Sequence, residues 1–129
     1  MYQLAIGNTI EFKAALKLQN AGVVKTFTLD LTAERITAEE LTKRMGGFKL
    51  PDEFADWIAE MRQILCDHVT GWRNQRLVLD ADGEPADFST QGLEMVMNIP
   101  GVVYTIFKSY QEAISESSGD TGRRKNSGG

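Results

Sequence analysis

The chain has one cysteine and one histidine, Cys66 and His68. A lone cysteine excludes an internal disulfide and makes a reducing cytosol the simplest setting. Two residues apart on a helix, Cys66 and His68 point in different directions. That spacing disfavours a shared metal and a cysteine–histidine nucleophile pair alike. A structural zinc takes four protein ligands, and carboxylates would have to supply the rest. Cys66 therefore reads as a small, partly buried hydrophobe. His68 reads as a helix C-terminal residue whose charged form the helix dipole favours. The glycine–lysine pattern of a phosphate loop is missing, and Gly46-Gly47 does not replace it. Asp80, Asp82, Glu84 and Asp87 lack calcium-loop spacing, because Gly83 follows Asp82 too early. No clustered nucleophile, base or ligand set remains, so no enzymatic activity, metal or cofactor is expected.

Long apolar runs are also missing, so no segment is expected to span a membrane. The N-terminus has no basic stretch leading into an apolar one, so no signal peptide is expected. Basic residues are outnumbered, 14 against 18 acidic, for a formal charge of -4. That balance argues against a general nucleic-acid binder. Arg123-Arg124-Lys125 is a basic cluster without interleaved aromatics, and reads as a solubilising end.

What is present suits a modest globular core. The 129 residues are 42% hydrophobic, which fits one domain. Ile10, Phe12, Ala14, Leu16 and Leu18 alternate with Glu11, Lys13, Ala15 and Lys17. After the turn residues Gln19-Asn20-Ala21-Gly22, Lys25, Phe27, Leu29 and Leu31 alternate with Thr26, Thr28 and Asp30. Period two on both sides of a turn predicts an antiparallel β-hairpin. Its apolar face must pack on helices or on a partner, because a lone hairpin is marginal in water.

Thr37-Ala38-Glu39-Glu40 matches a capping box and predicts a short helix to about Met45, closed by Gly46-Gly47. A long helix is expected over 51–69. Pro51 suits its first turn, Asp52, Glu53 and Asp56 suit its positive end, and Gly71 would close it. Phe54, Trp57, Ile58, Met61, Ile64 and Leu65 recur at spacings of three and four, forming one apolar stripe. Leu77-Val78-Leu79 and the Asp82-Gly83 turn allow a small ribbon. Ser89 or Thr90 can cap a short helix carrying Leu93, Val96 and Met97. Pro100 is expected to start another, with Val103, Ile106, Phe107, Tyr110 and Ile114 as its stripe. From Ser115 the chain turns polar, and 115–129 reads as a flexible tail. The expected fold is α+β: one mainly helical domain over 1–114, an N-terminal hairpin and a disordered C-terminal tail.

The aromatic residues are the best candidate anchors for a partner. Trp57 lies on the long stripe, where core packing competes with binding. Trp72 is divided between pinning the acidic segment and facing a partner. With Phe54, Ile58 and Met61 on the first stripe and Phe107 and Tyr110 on the second, these form the candidate partner-binding set.

The order of several short patterns resembles the tail assembly chaperones of long-tailed (siphovirus-like) bacteriophages. They are Val69-Thr70-Gly71-Trp72, Asp80-Ala81-Asp82-Gly83-Glu84-Pro85, Phe88-Ser89, Leu93, Asn98-Ile99-Pro100-Gly101-Val102 and the helix with Phe107 and Tyr110. The polar end with Lys125-Asn126 and the early strands fit the same group, so the likeness spans roughly residues 8 to 126. The resemblance implies a non-enzymatic assembly factor that acts in the host cytoplasm and is absent from the virion. Such a factor binds the tape measure protein, keeps it soluble and recruits the tail tube protein. It further implies a homo-oligomer and a frameshift-extended form of the same chain, with the junction near Lys125-Asn126. The alternative is a small tail completion or adaptor protein that stays with the particle.

Overall fold

The computed structural model describes residues 2–46 and 54–115. Strands β1 (Thr9–Asn20) and β2 (Val23–Glu34) pair antiparallel without interruption along their whole length, from Thr9↔Glu34 to Asn20↔Val23. Ala21 and Gly22 make the two-residue connection, with φ of 54° and 85°. Two positive φ values in succession give the turn whose twist matches that of the strands it joins. The period-two reading holds in burial. Ile10, Phe12, Ala14, Leu16, Leu29, Leu31 and Ala33 are buried, and Glu11, Lys13 and Lys17 between them are exposed.

The hairpin is part of a larger sheet. Strand β3 (Val69–Arg73) pairs antiparallel with β2, giving the order β1-β2-β3. The apolar stripe predicts a long helix through Val69 with Gly71 as its stop. Instead α2 (Phe54–His68) ends at His68, and Val69 is already strand. The His68 Nδ1–H closes the helix by donating to the Ile64 carbonyl at 2.7 Å. Gly71 sits opposite Thr32, and a register shift between Thr32 and Ala33 sets Ala33 against Val69. A glycine that looks like a helix stop is therefore a position in a bulged strand.

Helix α1 (Ala38–Met45) starts at Thr37, whose Oγ1 accepts from the Glu40 N–H at 3.1 Å. That is the threonine half of the expected capping box. Gly46 closes the helix through its N–H to the Thr42 carbonyl. Gly47 and the expected first turn at Pro51, Asp52 and Glu53 lie outside the described residues, as does the tail from Glu116. Helix α3 (Thr90–Met97) takes Ser89 as its cap, and Ser89 Oγ accepts from the Gly92 N–H at 2.9 Å. Helix α4 (Val102–Ser115) begins two residues after Pro100. Pro100 and Gly101 are the centre of a tight turn closed by the Val102 N–H on the Ile99 carbonyl, with Gly101 at φ 85°. Proline before a positive-φ glycine is the type II arrangement. Proline thus redirects the chain before the helix rather than opening it.

The architecture is a small α+β domain with an N-terminal antiparallel sheet covered on one face by helices. Leu93, Val96, Ile106, Met61, Ile64 and Leu65 join the inward strand residues in a single core. Burying each such side chain contributes roughly 1.5–3 kcal/mol. The outer sheet face is polar. Arg73 donates to both carboxylate oxygens of Glu11 at 2.8 and 3.4 Å, and Asn74 donates to Asp30.

Tyr110 ties the helices to the sheet. It is fully buried, its hydroxyl donates to the Glu34 carbonyl at 2.7 Å, and it accepts from the Ile36 N–H at 2.8 Å. Its ring tilts against Phe12 with centroids 5.7 Å apart.

Arg44 clamps α1 to α2 by donating to Glu60 and, at 3.1 Å, to Asp67. The Gln63 amide donates to the other Asp67 oxygen, and together with Arg44 it holds that carboxyl below its ordinary 3.8. A depressed carboxylate contributes stability that is present above its unfolded value and lost as pH falls through the folded one. Asp67→Asn should therefore be less stable than the parent at neutral pH, with the gap closing as thermal melts are taken to acid pH, below the ordinary 3.8. A gap that stays constant down to strongly acid pH would show that the carboxylate charge is not what holds the clamp.

Candidate functional site

Helices α1, α2 and α4 line a groove open to solvent. Leu41, Thr42 and Met45 of α1 with its cap Gly46 form one wall, Trp57 and Met61 of α2 the second, and Tyr104, Phe107, Lys108 and Gln111 of α4 the third. Its volume is about 430 Å³. Each wall is one helical stripe. Leu41 and Met45 are four residues apart, as are Trp57 and Met61, and Tyr104, Lys108 and Gln111 follow at four and three. Helix α1 has no buried residue at all. Its apolar residues Leu41 and Met45 pack against the edge of the core and line the groove, and both stay half-buried.

The candidate anchors separate into five groups. Trp57 is half-buried and lines the groove, with Phe54 at its rim, 53% exposed and 6.3 Å from the Trp57 ring. Met61 and Phe107 are buried and form the groove floor. Ile58 is half-buried against the core. Tyr110 is held in the core and offers no surface to a partner.

Trp72 belongs to a different region. Its Nε1–H donates to the Ala86 carbonyl at 3.0 Å, and its ring meets Phe88 edge-on at 5.2 Å. Gly92 on α3 permits the close approach, since a Cβ there would lie 3.1 Å from the Trp72 ring. Of the two roles weighed for Trp72, pinning the acidic segment is the one its contacts serve.

Gln75 is invisible to sequence reasoning and organises that same segment. It is 2% exposed and makes four hydrogen bonds. Its Oε1 accepts from the Leu77 and Val78 N–H groups, and its Nε2 donates to the Val78 and Ala86 carbonyls. The small ribbon forms as one bridge, Leu79↔Pro85. Asp80 Oδ1 accepts from the Asp82 and Glu84 N–H groups inside it. Those two bonds stabilise a turn and give Asp80 a local structural task.

Leu41, Met45, Tyr104, Lys108 and Gln111 are groove residues that sequence reasoning misses. The signal is present in the pairs at four-residue spacing on α1 and on the outer side of α4. Among the described residues no group of three His, Cys, Asp or Glu side chains is placed to hold a metal ion. Cys66 is half-buried, and desolvation pushes its thiol up, away from the reactive thiolate. No described helix is long and apolar enough to cross a membrane.

No family model, curated protein or solved structure matches this chain.

Proposed function

We propose that this chain is a tail assembly chaperone of a long-tailed bacteriophage, and that the groove between α1, α2 and α4 holds an apolar helical segment of the tape measure protein. The observation that carries the reading is the groove itself: an open concavity with Trp57, Tyr104, Leu41 and Met45 on its walls and Met61 and Phe107 at its base. An amphipathic helix lays its apolar face into such a groove, and aromatic anchors supply most of the binding energy. Lys108 and Gln111 on the α4 wall meet the polar margin of the client. The tape measure protein stays soluble because its apolar stripe is covered until tube subunits replace the chaperone.

The function is tested by co-expression with the tape measure protein of the same phage, followed by size-exclusion chromatography with light scattering. A soluble multi-copy complex is expected. Separate elution with the tape measure protein insoluble would remove the reading. Purified virions should lack the chain by mass spectrometry, whereas a completion or adaptor protein would remain with them.

A further inference from the structure

β1 is an edge of the sheet, and its outer side has no partner. The order is β1-β2-β3, and β1 runs for 12 residues against the 5 of β3 at the other edge. Among the described residues no backbone hydrogen bond reaches β1 from beyond that edge. Asn20↔Val23 flanks the two-residue turn, which makes it a hydrogen-bonded pair. Bonding alternates along an antiparallel strand, so Ile10, Phe12, Ala14, Leu16 and Leu18 direct their backbone groups to β2. Thr9, Glu11, Lys13, Ala15, Lys17 and Gln19 direct theirs outward. An open edge of this length is a template for another strand.

We propose that β1 pairs antiparallel with β1 of a second copy about a two-fold axis at Ala14, joining two three-stranded sheets into one. Charge selects that register. Only an axis at Ala14 or at Ala15 overlaps the two strands almost completely. With the axis at Ala15, Lys13 of each copy would face Lys17 of the other, and like charges directly opposite are destabilising. With the axis at Ala14, Glu11 faces Lys17 twice, Lys13 faces Ala15, and Thr9 faces Gln19. Lysine on an edge ordinarily repels a second strand. Here Lys13 already has Asp30, and Lys17 is exposed with no ion-pair partner among the described residues. The register gives that free cation a carboxylate. The facing pairs also exchange about 12 backbone hydrogen bonds.

The helix below the strand leaves room for the second copy. Val102 and Thr105 of α4 share a cleft with Leu16, Lys17 and Leu18, and Tyr110 packs on Phe12. The middle of α4 therefore lies under Ala14, where the axis passes. Thr105 and Ser109 are four residues apart on one flank of α4, and both are small and half-buried. They let a second α4 approach, and alanine puts no bulk at the axis itself. The groove uses the other flank, with Tyr104, Lys108 and Gln111. Pairing through β1 thus leaves the groove open, and the inference does not rest on the chaperone reading.

The test is light scattering of the full chain and of two variants, Lys17→Glu and Glu11→Lys. The unmodified chain should have twice the 14.3 kDa mass. Each variant alone sets like charges opposite each other twice and should fall to the single mass. Mixed in equal amounts, the two variants satisfy both charge pairs, and the doubled mass should return. Both positions are exposed, so circular dichroism of each variant should match the parent. On a Cys66→Ser background, Lys13→Cys and Ala15→Cys chains should join by a disulfide when mixed under mild oxidation, and Ala15→Cys alone should stay reduced. A single mass for the unmodified chain overturns the proposal. So does a doubled mass retained by Lys17→Glu, which would put the contact on another surface, or a variant mixture that stays at the single mass. An Ala15→Cys chain that links to itself overturns the axis at Ala14. Binding of the tape measure protein by a chain of single mass would overturn the pairing and leave the chaperone reading standing.

Discussion

Gln75→Leu should lower the free energy of unfolding by about 3 kcal/mol, although leucine is apolar and close to glutamine in size. The expectation follows from which groups lose their partners. The Val78 carbonyl keeps the Ala86 N–H, and the Ala86 carbonyl keeps the Trp72 indole. The Leu77 and Val78 N–H groups have Gln75 Oε1 as their acceptor, at 2.9 and 2.7 Å. Val78 is itself buried. Two stranded backbone donors at ~1–3 kcal/mol each account for the figure. It is a large share of a small domain's roughly 5–15 kcal/mol. Urea unfolding of the two proteins measures it. An unchanged midpoint would mean that the loop between β3 and α3 is held by Trp72 and the core alone.

Tyr110→Phe should cost about 2 kcal/mol, because one oxygen serves two backbone groups at the β2–α1 junction. The Ile36 N–H is left in a buried site without its acceptor, and the ring contacts remain. The hydroxyl also gives a pH signature. Burial pushes its pKa above the ordinary 10, more than the Ile36 hydrogen bond lowers it. An acid whose folded pKa is raised contributes stability that is complete below its unfolded value and lost as pH rises through the folded one. The parent should therefore lose stability above the ordinary tyrosine value of 10 more steeply than Tyr110→Phe, and the two melting curves should converge. Parallel curves up to strongly alkaline pH would contradict the buried, doubly bonded hydroxyl.

How much was legible depends on how local each signal is. The hairpin could be read because period two and a two-residue turn are properties of adjacent residues. Thr37 and Ser89 could be read as caps for the same reason. β3 could not. Val69-Thr70-Gly71-Trp72 follows a strong helical stripe, and only pairing with Thr32 and Ala33 makes it a strand. Helical stripes located the core better than the site. Tyr110 and Phe107 lie on the strong inward face of α4, whereas Tyr104, 47% exposed, lies off that stripe and lines the groove. Spacing says which residues share a face, but three helices must be docked before a face becomes a wall. Gln75 gave no signal, because a glutamine that braces backbone looks like any polar loop residue until its four partners are in place.

The proposed function seats the tape measure protein in the groove between α1, α2 and α4. The direct measurement compares the unmodified chain with Tyr104→Glu in co-expression with that protein. Tyr104 is exposed enough for the change to leave the fold intact, and a carboxylate on the α4 wall would have to be desolvated beneath an apolar helix. The account predicts a soluble complex with the unmodified chain and an insoluble tape measure protein beside a folded Tyr104→Glu. A complex of equal yield and stoichiometry with Tyr104→Glu would contradict it.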